Sequence, residues 1–453
     1  MNTKDMTKGV PYKIIIAFAI PILLSNLFQQ LYNSVDSLIV GNFLGKEALA
    51  AVASSGNLIF LFTSFFTGTA MGAGVIIAKY FGEKNYDNMQ KAIHTGIAFG
   101  LIASIALTII GVIFSPIMLK LMGTDPDVLP NSIEYFRIYF LGVTGVVMYN
   151  IFNGILQAIG NSKRPLMYLI ISSFTNVVLD LLFIGAFKWG VGSASLATAI
   201  SQMLSATLCF LFLIKKGTIY QVQIKKIYFH KGMLSQILKY GIPSGIQNSV
   251  IALANVVVQS NINSFGEDAM AGCGSYSKIE GFAFLPITCF TMAISTFIGQ
   301  NLGAKEYQRA KRGSRFGIIT SMILAEIIGI ITYILAPFLI SLFNNEPEVI
   351  AFGVKQARTM SLFYFLLAFS HCVAAVCRGA GKAFIPMLIM LIIWCGVRVS
   401  YITIAMSINH EIGLIFWAYP LTWGLSSIIY LIYYVFSDWV FGFESKKKNG
   451  LSQ

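Results

Sequence analysis

Apolar runs of twenty or more residues follow one another along the whole chain, separated by short connections in which glycine, lysine, asparagine and proline collect. A bilayer core of about 30 Å requires roughly 20 apolar residues of a helix, so the runs predict membrane spans near 12–37, 48–78, 91–119, 131–158, 165–187, 193–214, 235–263, 269–300, 312–343, 352–377, 383–407 and 413–441. The fold class expected is all-α, a polytopic membrane protein with 12 transmembrane helices. The first apolar run, Ile14 to Leu24, has no small-residue cleavage site and passes into polar, span-like sequence, so it is expected to stay as part of the first span.

The pattern repeats itself. At the offset that carries Gly82 onto Gly303, Lys84 and Tyr86 meet Lys305 and Tyr307, Gly96 meets Gly317, Pro116 meets Pro337, and Arg137 meets Arg358. The exterior-type loops at Asp125 ("DPDV") and Glu346 ("EPEV") coincide, as do Gly160 with Gly381, Pro165 with Pro386 and Gly192 with Gly413. In the first span the offset is one residue longer, pairing Pro21 with Pro243. Each copy holds six spans, an even number, so both enter the membrane from the same side. They form parallel repeats about a pseudo-twofold axis along the membrane normal, with substrate sites expected near their interface. The division expected is 1–214 for the first lobe, 215–234 for a cytoplasmic linker and 235–453 for the second lobe.

Composition agrees: 56% of the 453 residues are hydrophobic and 11% charged, against roughly a quarter charged in a soluble domain. A net charge of +13 raises nucleic-acid binding until its distribution is read. Most of the 32 basic residues fall in alternate connections: Lys4, Lys8 and Lys13; Lys79, Lys84 and Lys91; Lys163 and Arg164; Lys215 to Lys239; Lys305 to Arg315; Arg378 and Lys382; Lys446 to Lys448. The other connections carry Asp125, Asp127, Glu267, Asp268, Glu346, Glu348 and Glu411. By the positive-inside rule the basic set and both termini are cytoplasmic. The charge therefore orients the chain in a cell membrane, and no nucleic-acid partner is expected. Cys209, Cys273, Cys289, Cys372, Cys377 and Cys395 form no CxxC pair, which suggests neither a disulfide framework nor a zinc site.

Polar residues inside the spans carry the candidate chemistry. Asn26, Gln29, Asn33 and Asp36 share one face of the first span; Asn248, Asn255 and Gln259 stripe the seventh, with Asn26 aligned on Asn248 and Asn33 on Asn255. Both stripes suit either a cleft lining or interhelical hydrogen bonding. The acids do not recur between the repeats. Asp36 pairs with Val258, Asn153 with Ala374, Asn176 with Val397, Asp180 with Tyr401 and Thr198 with Tyr419, so oxygen ligands concentrate in the first half. An ionisable group at a span centre costs roughly 2.5 to 3.5 kcal/mol on insertion scales, and these oxygens suit a hard monovalent cation or a proton; a buried structural network is the alternative. Glu280, opposite Ile59 of the repeat, is suited to attract a cationic substrate, to pair with Arg398, or to lie near the exterior interface. His371, opposite Asn150, reads as a packed neutral histidine. The chain has neither an HExxH motif nor a P-loop, so neither an enzyme nor a nucleotide-driven pump is expected, and no catalytic residue or cofactor is assigned.

The segments "YNSVDSLIVGNFLG" (Tyr32 to Gly45) and "NVVLDLLFIG" (Asn176 to Gly185) and the loops "GEKNY" and "GAKEY" resemble the multidrug and toxic compound extrusion (MATE) family. The resemblance runs over nearly the whole chain. It implies two lobes around a central cleft, alternating access, and export of cationic amphiphiles in exchange for Na+ or H+. Asp36, Asn176, Asp180 and Thr198 match the family's first-lobe cation site, particularly in branches related to DinF, with Asn153 beside them; a sodium ion would be held by the first four. Two features depart from the family pattern: Leu181 follows Asp180 where proline is frequent, and the carboxylates of some NorM-like members on spans seven and ten are absent. The function expected is antiport of small cationic or amphiphilic compounds, by a monomer in the lipid bilayer. The competing readings are a flippase for a lipid-linked oligosaccharide precursor, which should present a basic cleft for diphosphate, and a membrane enzyme or receptor.

Overall fold

The computed structural model describes residues 5–121, 124 and 126–444. Lys4, Asp125 and Lys446 to Lys448 of the charge pattern lie outside the described residues. Those residues are helical almost throughout, with no strand among them. In the first half the helices are α1 (Pro11–Leu44), α2 (Lys46–Gly82), α3 (Tyr86–Leu121), α4 (Leu129–Leu141), α5 (Val143–Ala158), α6 (Lys163–Asp180) and α7 (Gly192–Leu213). In the second half they are α8 (Lys231–Asn263), α9 (Glu267–Gly303), α10 (Tyr307–Ser341), α11 (Pro347–Met360), α12 (Tyr364–Gly379), α13 (Phe384–Ile389), α14 (Arg398–Ile408) and α15 (Ile412–Phe436).

Among the described residues eleven helices or joined helices are long and apolar enough to cross a membrane, and the bent pair α4 and α5, taken as one span, makes a twelfth. That pair turns by 47° at Gly142, where an added Cβ would meet the side chain of Ala199. Many large apolar side chains point outward, among them Leu38, Phe174, Ile334 and Phe338, each more than 60% exposed. In water such a surface would aggregate; here it is the surface that meets lipid. The chain is a multi-pass membrane protein.

The repeat is visible in the backbone. Positive φ recurs at matched positions: Gly45 and Gly266 (87° and 93°), Lys84 and Lys305 (56° and 61°), Gly160 and Gly381 (80° and 74°). A lysine in the left-handed region is uncommon, so its appearance at both copies of one turn points to a shared loop geometry. In the first of these turns Asn85 Oδ1 accepts from the Asn88 amide at 3.2 Å, capping the start of α3.

Packing divides the chain into two compact units, 20–245 with 1–5, and 246–453 with 6–19. The boundary therefore runs through α1 and α8, and the linker does not mark it. The first fifteen residues of α8 join the first unit because they meet α2 at a seam of small residues. Gly68 and Gly72 on one helix face Gly241 and Gly245 on the other, and a Cβ on Gly68 would come within 2.6 Å of the Gly245 backbone. GxxxG spacing on both helices lets the two backbones approach closely. Residues 6–19 join the second unit through Met6, which is fully buried. Its amide donates to Gln300 Oε1 at 2.9 Å, and Asn301 and Arg309 donate to its carbonyl at 3.0 to 3.3 Å.

Candidate ion-coupling site

Four helices of the first unit and the segment after α6 converge on an apolar cluster. Ile39 and Val40 of α1, Ala48 and Ala51 of α2, Tyr135 of α4 and Ala194 of α7 pack with Ile184, which lies just beyond α6. Asp36 enters this region from α1 and Asp180 from the last residue of α6. Immediately after Asp180 the helix widens into a π segment, Leu181–Ala186. Such wide turns occur often at functional sites.

Asp36, Asn176 and Asp180 are all buried, Asp180 completely. The two carboxyl groups stand close enough to interact directly. With both ionised neither has a proton to donate to the other; a proton on one would let it donate to its neighbour. Asp36 Oδ1, Asn176 Oδ1 and both Asp180 oxygens are buried without a hydrogen-bond partner, and among the described residues no basic side chain forms an ion pair with either acid. The Asn176 amide lies with its Nδ2 3.5 Å from Thr198 Oγ1, a long hydrogen bond, and its carboxamide oxygen is left without a partner. Buried acceptors with no donor are costly, and a cluster of hard oxygens carrying two carboxylates fits a small monovalent cation or protons.

The remaining expected site residues are placed as follows. Asn153 is half-buried and its Oδ1 accepts from Gln157 Nε2 at 2.8 Å. Gln29, Asn33, Asn255 and Gln259 are exposed and Asn26 and Asn248 half-buried; Gln259 also donates to Asn263 at 2.8 Å. Sequence reasoning passed over Tyr32 and Gln202, which bond at 3.2 Å, and over Tyr135, whose buried ring lies within electrostatic reach of both acids. The spacing held a signal for Tyr32, which stands one helical turn before Asp36 on the same face.

In the second unit the centre is built differently. Arg398 is buried and donates through Nε and Nη2 to Thr422 Oγ1 at 3.2 and 2.8 Å. Its guanidinium lies over Tyr419 at 4.4 Å and Trp394 at 5.2 Å. It follows a second π segment, Met390–Val397. Thr422, and not Glu280, is thus the direct partner of Arg398; Glu280 is half-buried and interacts with the guanidinium only through space. His371 packs edge-on against Phe284 and Trp394, both at 5.3 Å between ring centres.

A two-unit, all-helical, multi-pass membrane fold with uncompensated acids buried in one unit defines a narrow class of protein. The family model MatE matches the chain over residues 21–182 and again over 243–402, one match in each half, and the chain belongs to that family. It is 28% identical over 447 residues to Probable multidrug resistance protein YoeA of Bacillus subtilis, covering 96% of each chain. It is 24% identical over 389 residues to Probable multidrug resistance protein NorM of Thermotoga maritima, covering 84% of this chain and 83% of that one. Among solved structures, a MOP superfamily transporter from Pyrococcus furiosus superposes with a TM-score of 0.89 at 21% identity, covering 96% of this chain and 97% of that one. The family and these relatives are transporters.

Proposed function

We propose that this chain is a secondary active multidrug exporter that drives cationic amphiphilic compounds out of the cell in exchange for Na+ or H+ by alternating access. The observation that carries the reading is the set of buried, donor-free oxygens on Asp36, Asn176 and Asp180. Thr198, 3.5 Å from the Asn176 amide, and Asn153 are the further oxygen ligands of this reading. An ion bound there lowers the free energy of whichever conformation completes its coordination, and only that difference in affinity can do transport work. The names of the relatives support multidrug compounds as the cargo. The exposed and half-buried amides Asn26, Gln29, Asn33, Asn248, Asn255 and Gln259, together with Glu280, supply polar and anionic contacts for it.

The protein acts as a monomer in the cell membrane with both termini in the cytoplasm. Cysteine labelling at Glu346 from outside intact cells tests the orientation, and labelling only after permeabilisation would overturn it. The function itself is tested in proteoliposomes loaded with a fluorescent cationic dye, with a sodium gradient and a pH gradient imposed separately. Dye movement against its own gradient under one of the two is expected; movement under neither would refute ion coupling.

A further inference from the structure

The connection between the two repeats is laid against the first unit, and one titratable side chain helps to hold it there. Residues 215–230 follow α7 and return across the start of α3. Tyr220 and Val222 are buried in the same apolar core as Ile93 and Ile97, and the Val222 amide donates to the Leu213 carbonyl at 2.8 Å. Three side chains from adjacent turns of α3 supply the polar ties. Gln90 Nε2 donates to the Ile219 carbonyl at 2.8 Å, the Gln223 amide donates to His94 Nε2 at 3.0 Å, and the His230 amide donates to Thr95 Oγ1 at 3.3 Å.

Of the three only His94 can change its charge, and its partners fix its state. A backbone carbonyl can only accept and a backbone amide can only donate. The 2.7 Å contact with the Gln90 carbonyl therefore puts the proton on Nδ1, while the Gln223 amide requires a free lone pair on Nε2. The ring is neutral while the linker is docked. A second proton would go on Nε2 and set one N–H against another across 3.0 Å, at a side chain only 2% exposed. The charged and titratable groups within electrostatic reach of the ring are Lys226 and His230, both on the linker and both basic, so neither compensates an imidazolium. A buried, uncompensated charge costs more than a hydrogen bond returns, and parting the linker from α3 relieves it. The second unit has Arg315 at the matching position of the repeat, a residue that keeps its charge and cannot act in this way.

We propose that His94 is a pH-operated clasp on the linker between the repeats: the neutral ring holds residues 219–230 against α3, and protonation from the side that the proposed orientation makes cytoplasmic releases them. The device is regulatory and independent of which ion drives export.

Hydrogen exchange of the full-length protein in detergent tests it, read by mass spectrometry on peptides covering 219–230 and corrected for the intrinsic pH dependence of amide exchange. The two conditions are about pH 7.5 and about pH 5.5, on either side of the ordinary histidine range. Corrected exchange in wild type should be about tenfold faster at the lower pH, the scale of one buried hydrogen bond lost. His94→Gln offers an acceptor in place of Nε2 and cannot be protonated, so the linker should stay protected at both. His94→Phe fills the space without an acceptor and should exchange fast at both. Peptides from 97–112, inside α3, should be indifferent to pH in all three proteins. Equal protection of wild type at the two pH values, or a protected linker in His94→Phe, would overturn the clasp. So would an acid response that persists in His94→Gln, which would belong to His230, or one that spreads equally to 97–112.

Discussion

The centres of the two units occupy related positions in one repeat and solve opposite problems. The first unit gathers acceptors and leaves them without donors: Asp36, Asn176 and Asp180 are buried with open valences. The second gathers a strong donor and supplies it with a hydroxyl and two aromatic faces, through Arg398, Thr422, Tyr419 and Trp394. Residue by residue, Val177 stands where the other unit has Arg398, Ser173 where it has Trp394 and Ser201 where it has Thr422; Asp36 and Asp180 stand opposite Val258 and Tyr401. The lesson concerns where function resides. A shared helix scaffold fixes the positions, and a handful of side chains sets the sign of the charge at each.

The sharpest way to break this comparison is to supply the missing donor. Asp180→Asn and Asp36→Asn keep shape and remove charge, so ion-driven dye accumulation in proteoliposomes should fall to the level of empty vesicles. Conservative changes at Val258 and Tyr401 should leave accumulation close to wild type. Wild-type rates in both Asn variants would place coupling elsewhere. Next in size is ion binding itself: if Na+ is the coupling ion, a concentration a hundredfold above its Kd should stabilise wild type by about 2.7 kcal/mol, read as a rise in Tm that Asp180→Asn abolishes.

The two units should then respond to charge removal in opposite directions. In sodium-free detergent Asp180→Asn should raise Tm, because it relieves two adjacent buried acids, and Arg398→Gln should lower it, because it strips Thr422 and two rings of their partner; about 1 to 3 kcal/mol is expected for each. A fall in both would mean that the acids are structural. The smallest effect is expected at Asn153, whose oxygen is already held by Gln157; Asn153→Ala should cost no more than about 0.5 kcal/mol.

Much of the fold was legible because the bilayer imposes a length on every crossing. The apolar runs expected from the sequence correspond to the helices, and the repeat noticed in Gly82 and Gly303 reappears as matched backbone angles at Lys84 and Lys305. The π segments after Asp180 and before Arg398 were not legible, since no residue type marks a wide turn and both read as ordinary apolar helix. The unit boundary was hidden for a different reason. Lys215 to Lys239 is the chain's basic linker, but the packing preference of α8 lies in Gly241 and Gly245, which act only once a partner helix approaches. At the site, the contrast between repeats singled out Asp36, Asn176 and Asp180. The contrast was silent on Arg398 and Thr422 as partners, because side-chain direction cannot be read from spacing across different helices.

The glycine seam bears on how the protein is made. A nascent chain that has reached the end of α7 has synthesised every span of its first repeat, yet α2 still exposes Gly68 and Gly72 as an unfilled backbone groove. The groove is filled only when Gly241 and Gly245 have left the ribosome and entered the membrane. The first half thus has to wait in the bilayer for the opening turns of the second. A gene split at the linker should yield a first polypeptide prone to degradation, and moving the split beyond Gly245 should rescue it.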